Sequence, residues 1–527
     1  MLPDEVARRG NLVALLEHSA ARYPEREALR FGQRCFTYSE AVAEVERVAG
    51  GLRELGVRRG DRVAIYAENS PEYLITYLAV AKLGAVLATI NPSFRQHEID
   101  YILGNAEPRV VLVQPALEES LRACCAASGH ALPRLVRLGG PAGDGAVAYD
   151  DLRQAAPLHE TAATALSDGV LICYTSGSTA RPKPVYRSHG GDLFIAYSHA
   201  RAWQFGPDDR QLVALPMAWL FGLTTASLGC LSAGGTAIYV PHFNPVVVLE
   251  ELERWRITVY LGVMTMYVKL LQVAEAAGRA YDLSALRLCI NGGEPRNEPV
   301  VERFAAQFGA PILDTYATSE CCPIITYDTR RDTRPRPGSC GRRVEGVEIR
   351  LLDPQGQEVP RGEAGELHAR CPGLMLGYYG EPEMTSQMLR DGWFRSGDLL
   401  REDDEGYYYV VGRAKDLIIR GGANIAPAEV ETVIAQHPAV AEVAVVGVPD
   451  AVYGEQPVAY VATRAGAALT AEAVQAHCRA RLAGYKVPAV VEFLRELPKG
   501  PTGKVLKPAL RERYAARGGA QPKSAGC

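Results

Sequence analysis

Val170-Leu171-Ile172-Cys173-Tyr174 is a short apolar run that passes without a break into Thr175-Ser176-Gly177-Ser178-Thr179-Ala180-Arg181-Pro182-Lys183. An apolar run of this length that ends in turn residues predicts a buried strand, and the polar residues after it predict a loop. The nine loop residues hold four hydroxyls, a glycine that lets the backbone approach closely, and two cations, which suits a polyphosphate cradle. The spacing is not that of G-x-x-x-x-G-K-[ST], because Gly177 is followed by Ala180 and Pro182 before Lys183. Taken alone, such a Ser/Thr/Gly stretch is also the ordinary material of turns.

Upstream of this strand the chain alternates helical and strand patterns. Leu12 to Arg22, Ser39 to Leu55 and Glu72 to Lys82 carry helical periodicity, while Arg62 to Tyr66, Ala85 to Ile90 and Arg109 to Val113 read as strands. Strands alternating with helices predict parallel sheets covered on both faces. From about Gly338 to Tyr409 the pattern becomes short alternating strands with Gly and Pro turns, such as Val347 to Leu352, the turn at Asp353-Pro354-Gln355-Gly356, and Gly365 to Ala369. A small antiparallel sheet or barrel is expected there. A helix at Ala428 to Gln436, a strand at Val440 to Val448 and a helix at Ala471 to Leu482 then form a fresh mixed pattern. The fold class is therefore α/β. A large N-terminal domain over 1–414 has parallel αβ layers and a β-barrel-like subdomain at about 338–409, a small α+β domain spans 415–514, and a polar, Gly-rich tail at 515–527 is expected to fray.

Composition narrows the function. A formal net charge of −4 gives no broad basic field for nucleic acid or an anionic membrane, so any phosphate binding must be local. The twelve cysteines form no C-x-x-C and the histidines no H-E-x-x-H, which argues against a disulfide framework or a zinc site. Met1 to Gly10 lacks an apolar h-region, and a cytoplasmic protein with reduced, packed thiols is expected. Gln211 to Leu249 contains no Asp, Glu, Lys or Arg. Its glycines and prolines favour a buried helix followed by a strand at Thr236 to Val240 over a membrane span.

Four further stretches accompany the loop: Tyr316-Ala317-Thr318-Ser319-Glu320; Phe394-Arg395-Ser396-Gly397-Asp398-Leu399; Gly412-Arg413-Ala414-Lys415-Asp416 continuing through Gly421 and Gly422 to Glu431; and Pro498-Lys499-Gly500-Pro501-Thr502-Gly503-Lys504. With these five motifs in order over essentially its whole length, the chain resembles the adenylate-forming superfamily of acyl-CoA synthetases, luciferases and peptide-synthetase adenylation domains, and looks most like a bacterial acid:CoA ligase. The resemblance implies ATP-dependent activation of a small carboxylic acid as an acyl-adenylate, then transfer to CoA. The same adenylation with transfer to a carrier-protein pantetheine, an amine or nitrite is the alternative, and a non-catalytic nucleotide-binding module is a second.

The resemblance also implies roles. Thr175, Ser176, Gly177, Ser178, Thr179 and Lys183 would surround the ATP phosphates, with Gly293, Tyr316 and Ser319 completing the nucleotide site. Glu320 would hold Mg2+, a hard cation suited to oxygen ligands. Asp398 would accept the ribose hydroxyls, braced by Arg413. Lys504 would stabilise the charge that builds as a carboxylate attacks the α-phosphate, which makes it catalytic together with Glu320 and Thr179. Lys415 lies where the family has its domain hinge, and Gly421 and Gly422 suit a narrow pantetheine tunnel.

Several residues depart from the family pattern. Ala180 and Pro184 stand where glycines are usual, which predicts a stiffer phosphate loop. Trp219 replaces a common histidine in Pro216-Met217-Ala218-Trp219-Leu220-Phe221-Gly222 and can wall off or stack on an aromatic acid; a plain core tryptophan is the alternative. Together with Phe221, Ala317 and Glu294 it makes up the expected acyl pocket. Ala317 should narrow that pocket, and Glu294 would either meet a polar group of the substrate or face solvent. Tyr485-Lys486-Val487-Pro488 keeps Lys486 without the extra basic residues some CoA ligases carry.

Overall fold

The computed structural model describes residues 2–175, 181–332, 334–420, 423–464, 466–499 and 505–517. The chain divides into two compact units. The first comprises Met1–Ile349, His368–Arg395 and Gly406–Tyr408, and the second comprises Arg350–Leu367, Ser396–Glu405 and Tyr409–Cys527.

Two sheets organise the first unit. One runs in the order Gly377–Tyr378, Lys183–Ser188, Gly169–Thr175, Val86–Ile90, Arg62–Tyr66, Val110–Val113, Arg134–Arg137, Val147–Ala148. Its strands are parallel from Gly169–Thr175 onward, whereas Lys183–Ser188 is antiparallel to both of its neighbours. The inner strands Val86–Ile90 and Val110–Val113 are buried at every position, as expected of a parallel sheet covered on both faces. Helices Gln96–Ala106 and Pro115–Ser128 bury Ile99, Ile102, Leu103, Leu121 and Cys124 against one face. Helix Pro71–Lys82 is buried at nearly every position and touches both Val86–Ile90 and, in the second sheet, Glu27–Phe31. A helix apolar on all sides belongs between layers, and this one lies between the two sheets.

The second sheet is parallel through Glu27–Phe31, Thr236–Tyr239, Arg210–Val213, Val259–Gly262, Leu288–Gly292 and Ile312–Tyr316. It turns antiparallel at Ile325–Thr326 and Gly341–Arg343. The first strand of the Gly/Pro-rich region thus extends the large sheet, and Tyr407 and Tyr408 pair onto it in turn. The uncharged stretch from Gln211 resolves into a strand, a π-helix at Phe221–Leu228, a short helix at Gly229–Ser232 and the strand Thr236–Tyr239. Among the described residues no helix is long and apolar enough to cross a membrane. The described cysteines are free thiols, all but Cys35 buried.

In the second unit, Ala423–Ile425, Ile418–Arg420, Gly454–Thr463 and Val440–Asp450 form an antiparallel sheet, with Val490–Phe493 parallel to Gly454–Thr463. Helices Pro427–Ala435 and Ala471–Arg479 bury Val430, Ile434, Val474 and Cys478 on one face. Helix Lys507–Ala516 lays Leu510 on the other. Of the expected tail, Ala515 and Ala516 end this helix and 518–527 lie outside the described residues.

Candidate active site

The opening stretch folds as a hairpin. Gly169–Thr175 pairs antiparallel with Lys183–Ser188, in a register that sets Thr175 opposite Lys183 and Tyr174 opposite Pro184. Ser176, Gly177, Ser178 and Thr179 of the expected cradle lie outside the described residues, but the two ends of the loop are fixed beside each other. Tyr174 is buried below, and its hydroxyl donates to Asn105 Oδ1 at 2.6 Å.

The other edge of Lys183–Ser188 carries Gly377–Tyr378, with Tyr378 opposite Val185. That pairing puts the Tyr378 ring beside Lys183, whose Nζ lies 5.5 Å from the ring centroid. The Tyr378 hydroxyl donates to Glu320 Oε1 at 2.7 Å. Burial pushes the Tyr378 phenol up, and the Glu320 carboxylate pushes it further, so it remains a neutral donor. A cation, a phenol and a carboxylate thus meet from three separate parts of the chain. Tyr378 was not identified from the sequence, because its place depends on a strand pairing nearly 200 residues away in the chain.

Glu320 ends a run, Tyr316 to Glu320, in which every residue is partly exposed. Tyr316 closes the strand Ile312–Tyr316 opposite Ile325. Thr318 N–H then donates to the Cys321 carbonyl and Cys321 N–H to Thr318 Oγ1, both at 3.1 Å, which turns the chain. The Ser319 carbonyl accepts from Arg187 Nη1 at 2.9 Å, and the Glu320 carbonyl accepts from Met375 N–H at 2.7 Å.

On the expected acyl side, Trp219 begins the turn into the π-helix, its carbonyl accepting from Gly222 and Leu223 N–H at 3.1 and 3.0 Å. Its indole N–H is buried and has no hydrogen-bond partner among the described residues. Phe221 packs where a side chain on Gly292 would stand: a Cβ there would come within 3.0 Å of the ring and 2.9 Å of Thr315. Phe221 is therefore brought to the strand ends that lead into Gly293 and into Tyr316-Ala317. Gly293 has φ +78°, a conformation that favours glycine. The Glu294 carboxylate is engaged: its Oε2 accepts from Thr265 N–H at 2.7 Å and Thr265 Oγ1 at 2.9 Å. Glu294 thereby caps the first turn of helix Met264–Ala276 from outside. Beneath it, Asn291 donates to Asp314 Oδ1 at 2.6 Å, and burial raises the Asp314 carboxyl against the pull of Arg296.

In the second unit Arg413 Nε pairs with Asp398 Oδ1 at 3.0 Å, with the carboxylate largely enclosed and the guanidinium half exposed. Asp398 N–H donates to Ser396 Oγ at 3.0 Å. Lys415 is exposed in a short 3₁₀ turn, Ala414–Asp416, held where Arg511 donates to Asp416 Oδ1 at 2.9 Å. Lys486 Nζ is matched by both oxygens of Glu429 at 2.7 Å. Gly421, Gly422 and Lys504 lie outside the described residues.

Residues 16–379 match the family model of the AMP-binding enzyme, and residues 429–504 match that of the AMP-binding enzyme C-terminal domain. A feruloyl-CoA synthase of Amycolatopsis sp is 38% identical over 93% of this chain and 96% of its own. An indoleacetate–CoA ligase of Aromatoleum aromaticum is 34% identical over 95% of this chain and 98% of its own. ATP-bound MatB from Rhodopseudomonas palustris superposes with a TM-score of 0.87 at 34% identity, covering 96% of this chain and 99% of that one. The chain belongs to the AMP-binding enzyme family. Within it, the chain is an AMP-forming acid:CoA ligase that uses ATP to activate a carboxylic acid as an acyl-adenylate and passes the acyl group to CoA.

Proposed function

We propose that the acid is compact and planar, of the arylacetic or hydroxycinnamic type, and that the phosphates of ATP are handled by Lys183 and Glu320. The observation that carries this reading is the convergence of Lys183, Tyr378 and Glu320 beside the ends of the phosphate loop. Lys183 supplies a point charge to the phosphates, together with Thr175 and the hydroxyls of 176–179.

Glu320 fits a Mg2+ that arrives with ATP. Among the described residues no three His, Cys, Asp or Glu side chains group to form a metal cage, and Mg2+ is commonly held by one or two carboxylates plus substrate phosphates. The bond from Tyr378 orients one oxygen of Glu320 and leaves the other outside that bond. Bound there, Mg2+ would neutralise phosphate charge during attack.

Asp398, steadied by Arg413, is assigned to the ribose hydroxyls, and Lys504 to the carboxylate as its oxygen attacks the α-phosphate and pyrophosphate leaves. Attack of the CoA thiolate on the adenylate carbonyl then expels AMP. Lys415 is assigned to the hinge between these half-reactions, and Gly421 and Gly422 to the path of the pantetheine arm.

Trp219, Phe221 and Ala317 are assigned to the acyl pocket, where two aromatic faces and an added methyl favour a flat acid over a long chain. Feruloyl and indoleacetyl, the acyl groups in two relatives' names, are both planar aromatics. The buried, reduced thiols support a reducing, cytoplasmic setting. The test is a screen of hydroxycinnamic, arylacetic, benzoic and straight-chain acids with ATP, Mg2+ and CoA, following the acyl-CoA by mass. Aromatic acids are expected to give the highest kcat/KM, and a preference for long straight-chain acids would overturn the assignment.

A further inference from the structure

Arg187 is a fully buried cation that none of the roles above uses. It stands on Lys183–Ser188 two alternations beyond Lys183, so Lys183, Val185 and Arg187 share one face of the strand. Lys183 reaches the Tyr378 ring, Val185 packs with Met375 and Tyr378, and Arg187 donates through Nη1 to the carbonyls of Ser319 at 2.9 Å and Gly373 at 3.2 Å. Those carbonyls belong to two segments lying side by side, since Met375 N–H donates to Glu320 O and Cys322 N–H to Gly373 O. One segment carries Glu320 and the other leads into Tyr378, whose hydroxyl orients the Glu320 carboxylate.

The guanidinium is held in turn by Asp192, which accepts from Arg187 Nε at 2.6 Å, Tyr77 OH at 2.5 Å and Thr224 Oγ1 at 3.3 Å. Thr224 is in the π-helix that begins at Phe221. A Cβ on Gly191 would crowd the guanidinium, standing 3.3 Å from Nη2 and 3.2 Å from Ser188 Oγ. A helix gives up stability to carry glycine, and a buried ion pair seldom stabilises more than an apolar pair of the same shape. The arrangement therefore calls for a return other than stability.

We propose that Arg187, locked by Asp192, is a positioning residue for Glu320: it clamps the Ser319 and Gly373 carbonyls and so fixes the two segments that aim the carboxylate. The inference rests on the assignment of Glu320 to Mg2+–ATP. Its test is equilibrium binding of ATP, by calorimetry, with Mg2+ and with excess EDTA, on the wild type, Glu320→Ala, Arg187→Lys and the neutral pair Arg187→Met/Asp192→Asn, which keeps an acceptor for Tyr77. Loss of an outer partner of a metal ligand typically lowers metal affinity by about 10- to 100-fold. The neutral pair is expected to lose roughly tenfold of the Mg2+-dependent gain in ATP affinity, with EDTA-state binding and urea midpoint near wild type. Arg187→Lys keeps the buried cation but has one nitrogen where arginine uses Nη1 on the carbonyls and Nε on Asp192, and should lose several-fold. If Glu320→Ala abolishes the Mg2+-dependent gain while Arg187→Lys and a folded neutral pair retain it, the positioning role is wrong. If Glu320→Ala itself keeps the gain, the Glu320 assignment fails first.

Discussion

Among single residues, the chemistry is assigned to Lys504 and the choice of acid to Trp219. Lys504→Ala is expected to lower adenylation by about 10²- to 10³-fold, the usual cost of removing one preorganised transition-state donor, and near-normal pyrophosphate exchange would remove Lys504 from the mechanism. Trp219→Ala should raise KM for an aromatic acid roughly tenfold with KM for ATP little changed, because a stacking wall is lost on the acyl side only. Steady-state kinetics with both substrates varied would decide it, and a parallel rise in both KM values would mean that Trp219 is a core residue. Lys183, Glu320, Asp398 and Arg413 were candidates from the sequence because each stands inside a compact motif. Tyr378 and Arg187 were not, because each acts only through the pairing of Lys183–Ser188 with segments far along the chain.

Elements place those residues, and some of them do so through bonds that leave no local trace. The Glu294 carboxylate is committed to the first turn of helix Met264–Ala276. Glu294→Ala should therefore cost about 1 kcal/mol, as loss of a helix cap does, without changing which acid is preferred. Urea unfolding beside an acid screen measures both, and a changed preference at unchanged stability would return Glu294 to the substrate. The 3₁₀ turn at Ala414–Asp416 carries the proposed hinge. Lys415→Pro should slow thioester formation more than adenylation, since a fixed φ resists a change of backbone state, and equal losses in the two half-reactions would argue against the hinge. Strong periodicity gave Arg62–Tyr66 to the residue, and the five helices it delimited to within three positions. From the sequence the π-helix Phe221–Leu228 is legible only as a buried helix, because a segment apolar on all sides has no periodic face to distinguish its turn.

At the level of the whole molecule, two histidines, His189 and His199, are buried, and burial disfavours their charged form. Burial lowers His189 from 6.5 to about 4, against the pull of Asp192 and Asp168, and lowers His199 to about 3. His199 stacks on Trp203 at 4.2 Å between centroids. The unfolded chain takes up protons at these sites below pH 6.5 that the folded chain refuses until the lowered values are reached. Their contribution is thus fully present above pH 6.5 and is lost as pH falls toward about 4 and then about 3. Each pKa unit corresponds to about 1.4 kcal/mol, so the urea midpoint should drop steeply between pH 6.5 and 4.5, less steeply in His199→Phe. An equal slope in that variant would mean other groups drive the acid loss. At every scale the parts serve one order of events, in which the acyl-adenylate forms before CoA takes part. The most direct measurement is isotope exchange between pyrophosphate and ATP with CoA omitted. Exchange is expected to require Mg2+ and a planar aromatic acid and to disappear in Lys504→Ala. Tight ATP binding with no exchange for any acid offered would contradict it.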